Sequence, residues 1–282
     1  MASSSVVITG TSTGIGRATA LELDRAGFTV FAGVRREEDG AALRREGSER
    51  LHPMLLDVTD VASIEYAEKT VSAQVGEAGL AGLVNNAGIG VDGPIEFMPA
   101  EDISRQFEVN VFGPVAVARA FLPLLRTSRG RIVNVSSVAG RMSSPLIGVY
   151  CASKFALEAI SDALRMELSN AGIRVVIVEP GFVETAMLDK GKSELDRVIE
   201  ALPPRGRELY EVPLRTFEKS VESFRKRACN AEDVARTIHR ALITPRPRAR
   251  YAVGTDARVL LLMRRWLPSR ANDWIGRRLT GL

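Results

Sequence analysis

Histidine and cysteine are scarce in this chain, with two of each in 282 residues. His52 and His239 have no companions at metal-ligand spacing, and neither do Cys151 and Cys229, so no metal centre is expected. Two cysteines are also too few to staple a fold, and thiols in a reducing compartment are the expected state. No Gly/Ser-rich or Pro-rich stretch separates two halves, no internal repeat recurs, and no apolar run approaches membrane-spanning length. Met1-Ala2-Ser3-Ser4-Ser5 leads directly into a strand-like run, which leaves no room for a signal peptide. One domain spanning residues 1–282, in the cytoplasm, is the expectation. The net charge of +4 comes without the basic-aromatic motif of a nucleic-acid reader, so no nucleic-acid partner is expected.

The chain instead offers a regular alternation of strand-like and helix-like segments. Val6-Val7-Ile8 reads as a short buried strand. It runs into Thr9-Gly10-Thr11-Ser12-Thr13-Gly14-Ile15-Gly16, and a helical pattern follows from Ala18 to Ala26. Further strands are expected near Thr29–Val34, Met54–Leu56, Gly82–Asn85, Arg131–Val135, Val175–Val178 and around Tyr251, with helices such as Val61–Val75 and Tyr150–Leu168 between them. This is the pattern of an α/β fold, a doubly wound parallel sheet flanked by helices. In such sheets ligands bind beyond the carboxyl ends of the strands. Leu157, Ile160, Leu164 and Leu168 form a stripe at helical spacing and are read as core or subunit contact.

Four short segments carry chemistry. The glycines at Gly10, Gly14 and Gly16 would let a diphosphate approach the N–H groups of a helix N-terminus, although their spacing departs from the G-x-G-x-x-G fingerprint and an ordinary tight turn remains the alternative. Leu83-Val84-Asn85-Asn86-Ala87-Gly88 ends a strand on two amides and a glycine, and Ile132-Val133-Asn134-Val135-Ser136-Ser137 ends another on hydroxyls. Asn110 lies in a helix between them. In Tyr150-Cys151-Ala152-Ser153-Lys154 a phenol and an ammonium four residues apart share a helical face and can act as an acid/base pair; for the pentapeptide alone, a solvated pair is the alternative.

In this order these segments resemble the short-chain dehydrogenase/reductase family over roughly residues 5–254. In the wording of Tyr150–Leu157, Val178–Thr185 and Arg246–Arg265 the chain is most like hydroxysteroid and retinol dehydrogenases. The resemblance implies a Rossmann fold and an enzyme interconverting an alcohol and a carbonyl by hydride transfer. It implies Tyr150 as proton donor, Ser137 as the bond to the substrate oxygen, Lys154 on the nicotinamide ribose, and Asn110 holding a water that links Lys154 to solvent. Lys154 should also bring the Tyr150 phenol from its usual pKa of about 10 towards neutrality. The implied cofactor contacts are Gly10, Ser12, Thr13, Gly14, Ile15 and Gly16 at the diphosphate, Asp57 and Val58 at the adenine, Asn86, Ala87 and Gly88 beside them, and Pro180, Gly181, Val183 and Thr185 around the nicotinamide. Homodimers or homotetramers joined through helices like Tyr150–Leu168 are implied as well.

Cofactor choice is read from the end of the second strand. An NAD site usually places a carboxylate there for the ribose hydroxyls; this chain has Val34, followed by Arg35 and Arg36. A guanidinium fork suits a phosphate, with Ser12 and Thr13 as added donors, so NADP(H) is expected over NAD(H). Surface arginines balanced by Glu37, Glu38 and Asp39 are the alternative. From Met187 to about Ala228 an amphipathic stretch is expected to form a substrate lid for a bulky apolar alcohol or ketone, steroid-, retinoid- or lipid-like, though a lid covering the protein's own core would look the same. Residues 256–282 mix Val259-Leu260-Leu261-Leu262-Met263 with arginines and both tryptophans, Trp266 and Trp274. Peripheral membrane contact and docking on the core or a partner subunit are both open for this tail. A catalytically weak NADP(H)-sensing binding protein is the alternative function.

Overall fold

The computed structural model describes residues 4–184, 195–225 and 228–282. Seven parallel strands form one sheet in the order β3-β2-β1-β4-β5-β6-β9. They are β1 Ser5–Ile8, β2 Thr29–Val34, β3 Leu51–Leu55, β4 Gly82–Asn85, β5 Arg131–Val135, β6 Arg174–Pro180 and β9 Arg250–Val253. A separate two-stranded pair joins β7 Val183–Glu184 to β8 Cys229–Asn230. The order reverses direction between β1 and β4, which opens a crevice at their carboxyl ends.

Both faces of the sheet are covered, and β1 shows why its sequence is apolar throughout. Val6 and Ile8 point to one core and Val7 to the other, as the twofold alternation of a strand requires. On the first face α1 Gly14–Arg25 and the helix Ala231–Ile243 pack through Leu21, Leu23, Val234 and Ile238. On the second, α3 Val61–Val75 and α5 Gly113–Ser128 pack through Ile64, Val71, Val117 and Phe121. α6, Gly148–Glu167, flanks the same face, and the stripe expected on it divides: Leu157 and Leu168 are buried and Leu164 packs on the core. The apolar residues α6 leaves exposed are instead Phe155 and Met166.

Two expectations need correction. β3 begins at Leu51, before Pro53, rather than at Met54; it is an edge strand, where a proline costs no ladder hydrogen bond. Second, the helical run Ala100–Ser128 is by length and composition long and apolar enough to cross a membrane, and half of its apolar window is buried inside the protein. It serves here as a layer of the fold, and its apolar character is that of a core helix.

Part of the expected lid, residues 187–194, 226 and 227, lies outside the described residues. The remainder, residues 195–201 and the helix Pro204–Arg225, packs Leu195, Ile199, Leu202 and Leu214 into a third cluster with Leu146 and Phe97. These side chains cover the protein's own apolar surface beside the segment that leads into Tyr150. The tail forms two helices, Thr255–Trp266 and Ser269–Thr280, and Gly276 and Gly281 of the second lie against Pro145 and Thr216.

Candidate active site

The turn after β1 is built by close approach. Gly10 and Gly14 have positive φ, 69° and 56°, which L side chains rarely adopt. A Cβ on Gly16 would lie 2.1 Å from the Gly10 carbonyl and 2.4 Å from Asn86 Nδ2. Asn86 donates its amide to the carbonyls of Thr9 at 3.0 Å and Gly10 at 2.9 Å, and Thr9 Oγ1 accepts from the backbone of Asn86 and Ala87. Asn86 thus shapes the turn with the amide that the sequence assigned to the cofactor. Thr13 caps α1 without a side-chain hydrogen bond and no acid stands in the first turn, so the helix N-terminus with Ile15 above it suits an anion. Asp57 Oδ1 accepts from Thr59 N and Oγ1, and Val58 packs where a Cβ on Gly113 would fall.

At the far side of the crevice, Gly88, Asn110 and Lys154 converge: a Cβ on Gly88 would lie 3.4 Å from Asn110 Oδ1 and 3.7 Å from Lys154 Nζ. Asn110 sits in a π-helical turn, Glu108–Phe112, between α4 Ala100–Phe107 and α5. Its Oδ1 accepts from Ile89 N at 2.9 Å, and its Nδ2 donates to Ile89 O at 2.9 Å and to Ser153 Oγ at 3.1 Å. Both Nδ2 donors and one of the two Oδ1 acceptor positions are therefore engaged by protein. Neither the π turn nor Gln106, which anchors Val91 N and Ile89 O at 2.8 Å each, was foreseen.

Ser137, Tyr150 and Lys154 meet at the carboxyl edge of the sheet. Ser137 is near enough to the Tyr150 phenol to lower its pKa, Lys154 Nζ lies 5.9 Å from the Tyr150 ring centroid, and Lys154 donates to Val135 O at 3.0 Å. Burial pushes the Tyr150 phenol up to about 12, against a smaller lowering by Ser137. Burial likewise pushes Lys154 down to about 8, offset in part by the charge of Glu158. Against the expectation that Lys154 draws the phenol towards neutrality, burial is the largest influence on both groups and disfavours phenolate and ammonium alike.

Beneath this edge lies a charge cluster that sequence reading passed over. Glu158, one turn after Lys154, and Glu179, at the end of β6, are both buried. Arg250 donates to Glu158 Oε2 at 3.0 Å and Asp162 Oδ2 at 2.8 Å and lies 3.7 Å from Glu179; Arg141 reaches Glu179 at 3.3 Å. Burial first, then Glu158, raises the Glu179 pKa, and the two arginines lower it. The Tyr150, Lys154 and Glu158 spacing of four was the available signal.

Arg35 is exposed, and no ion pair is seen for it among the described residues. Arg36 donates to Asp39 at 3.0 and 3.1 Å, and that bond first, with smaller contributions from Ser12 and Arg35, holds the Asp39 carboxyl below its usual range. Half of the expected phosphate fork is thereby engaged by an acid. Pro180, Gly181 and Val183 continue from β6 along the crevice, with Gly181 N donating to Val253 O at 3.0 Å. Thr185 lies outside the described residues.

A family model for short chain dehydrogenases matches residues 4–196. The chain belongs to the short-chain dehydrogenase family. This dehydrogenase is 41% identical over 274 residues to retinol dehydrogenase 5 of Mus musculus, covering 95% of this chain and 86% of that one. It resembles a short chain dehydrogenase/reductase of Burkholderia phymatum in complex with NAD (TM-score 0.77, 26% identity, covering 94% of this chain and 93% of that one). It shares the fold of a Burkholderia cenocepacia short chain dehydrogenase in complex with NADP (TM-score 0.74, 24% identity, covering 99% and 98%). The dehydrogenase is an alcohol/carbonyl oxidoreductase on a fold that binds NAD or NADP, and the glycine cradle fits such a dinucleotide.

Replacing Arg250 by Met leaves the buried Glu158 without its hydrogen-bonded counter-charge and removes one of the two arginines beside the buried Glu179. Arg250→Met should lower stability by about 3–5 kcal/mol in urea unfolding. A carboxyl with a raised folded pKa, as Glu179 has, weakens the fold as it ionises with rising pH. The deficit of the variant should therefore grow from pH 5 to pH 8, and a deficit independent of pH would contradict this account.

Proposed function

We propose that the protein is an NADP(H)-dependent oxidoreductase that interconverts a bulky apolar alcohol and its carbonyl. The observation that carries the chemistry is the convergence of Ser137, Tyr150 and Lys154 at the carboxyl edge of the sheet, with Lys154 Nζ 5.9 Å from the Tyr150 ring centroid. The dinucleotide supplies or takes the hydride. In the reducing direction Tyr150 gives its proton to the substrate oxygen, on which negative charge grows, and Ser137 orients that oxygen. The resulting phenolate is supported by the Ser137 hydroxyl and the Lys154 ammonium, which also serves the ribose hydroxyls. With its phenol raised to about 12, Tyr150 stands ready as an acid across the neutral range. Gly88 leaves room between Asn110 and Lys154, consistent with a proton path from Lys154 past Asn110.

Arg35, exposed beyond the end of β2, supports NADP(H); Arg36 does not, because Asp39 engages it. A retinoid-, steroid- or lipid-like substrate is supported by the likeness to retinol dehydrogenase 5 and by the apolar cluster of Leu146, Leu195 and Leu202 beside the Tyr150 segment. We read the protein as a cytoplasmic homo-oligomer, with the exposed Phe155 and Met166 of α6 as its contact. Peripheral membrane contact through the tail is supported by exposed Val259, Leu262, Trp266 and Trp274 among six arginines from Arg258 to Arg278.

Tyr150→Phe should retain dinucleotide affinity while turnover falls by roughly two orders of magnitude or more. Wild-type protein that binds NADPH tightly yet turns over no steroid, retinoid or aliphatic carbonyl would instead favour the cofactor-sensing reading. Arg35→Ala should weaken NADPH by roughly tenfold or more with little change for NADH, since only the phosphate is lost as a partner; equal losses, measured by titration calorimetry, would remove Arg35 from cofactor choice. The full-length protein should sediment with anionic but not neutral liposomes at low salt, and release as salt is raised. Failure to sediment at low salt would end the membrane reading.

A further inference from the structure

Among the described residues, Asp256 is the one side chain seen to hold the backbone of residues 181–184, the segment after β6. It stands in the first turn of the tail helix Thr255–Trp266, 74 residues beyond the group it binds, and its Oδ2 accepts from Phe182 N at 2.7 Å. The approach is so close that a Cβ on Gly181 would lie 2.1 Å from Oδ2, and a Cβ on Gly254, whose φ is +100°, would lie 2.4 Å from Oδ1. Two glycines are therefore needed to admit one carboxylate. Oδ1 is buried and has no hydrogen-bond partner, and no ion pair is seen for Asp256 among the described residues. A carboxylate with one buried oxygen left without a partner costs stability, so the tie to Phe182 N is made at the expense of the fold. Other bonds to this segment run backbone to backbone: Gly181 N to Val253 O and Cys229 N to Phe182 O, both 3.0 Å.

We propose that Asp256 is a positioning residue for the nicotinamide half of the cofactor: it fixes the Gly181–Phe182 peptide, and through it Val183, at the depth the ring requires. This rests on the reading above that Pro180 to Val183 cup the nicotinamide. The tail helix would thereby be coupled to the reacting end of the cofactor, whereas the residues expected at the adenosine end, Arg35 and Asp57, follow β2 and β3 at the opposite end of the sheet from β6 and β9.

The test measures equilibrium binding of NADPH or NADH, whichever the wild type binds tighter, and of the matching adenosine phosphate fragment that lacks nicotinamide. It is run on the full chain with wild type, Asp256→Ala, Asp256→Asn and Gly181→Ala, alongside kcat and the thermal midpoint. Asp256→Ala should weaken the dinucleotide roughly ten- to hundredfold, the range of a charge-assisted hydrogen bond, while the fragment binds as before. Asp256→Asn keeps an acceptor for Phe182 N and should recover most of the loss. Gly181→Ala drives a methyl into the carboxylate and should reproduce the Ala variant even if that variant folds poorly. A competent wild type whose folded variants keep dinucleotide affinity and kcat, or lose fragment and dinucleotide affinity equally, would overturn the positioning role alone. A wild type that binds neither dinucleotide would overturn the proposed function and this inference together.

Discussion

The site depends on a contact distance: the turn after β1 and the turn after β4 pack with no space for a methyl group between them. Gly16 faces the Gly10 carbonyl and Asn86 Nδ2, and Gly10 faces the Cα of Ala87 at a distance a Cβ could not tolerate. Asn86 then locks the two turns, its backbone N–H donating to Thr9 Oγ1 and its side-chain amide to the carbonyls of Thr9 and Gly10. Because β1 and β4 flank the point where strand order reverses, this lock sets the width of the crevice. Side chains further along, on β5, β6 and α6, meet at an edge whose origin it defines.

Electrostatics at that edge follow from burial more than from pairing. Tyr150 and Lys154 share a helical face, yet the phenol is raised and the ammonium lowered, because removal of water penalises both charged forms at once. A bound dinucleotide changes the balance by bringing its own charges and hydroxyls into the crevice. Below it, Arg250 joins β9 to α6 and β6 through three carboxylates, so the helix carrying Tyr150 and Lys154 is held by an ionic anchor as well as by Leu157.

Local composition made most of the strands legible, since runs such as Val6-Val7-Ile8 and Val175–Val178 are apolar on both faces, and α3 and α6 fell where their periodicity predicts. The start of β3 was obscured by Pro53, whose lack of a donor matters only when the position of the strand in the sheet is known. The π turn at Asn110 has no compositional signal, because it arises where α4 and α5 meet. The Arg250 cluster joins residues 92 and 88 positions apart, and the Asp256 tie spans 74; contacts of that range are set by topology. The Asn, Ser and Tyr-x-x-x-Lys segments were legible as chemistry only in combination, and the state of the phenol needed the surrounding burial.

Pro53 has a consequence outside the site. A parallel sheet has two edges, and an exposed edge is a template on which another chain can add a strand. At Pro53 of β3, which pairs with Ala32 of β2, one outward donor is missing from the template, and β3 is only five residues long. Growth of the sheet by recruitment of a neighbouring chain is thereby discouraged at this rim. A missing donor at the rim thus works against open-ended β-stacking without touching the helical faces of the fold.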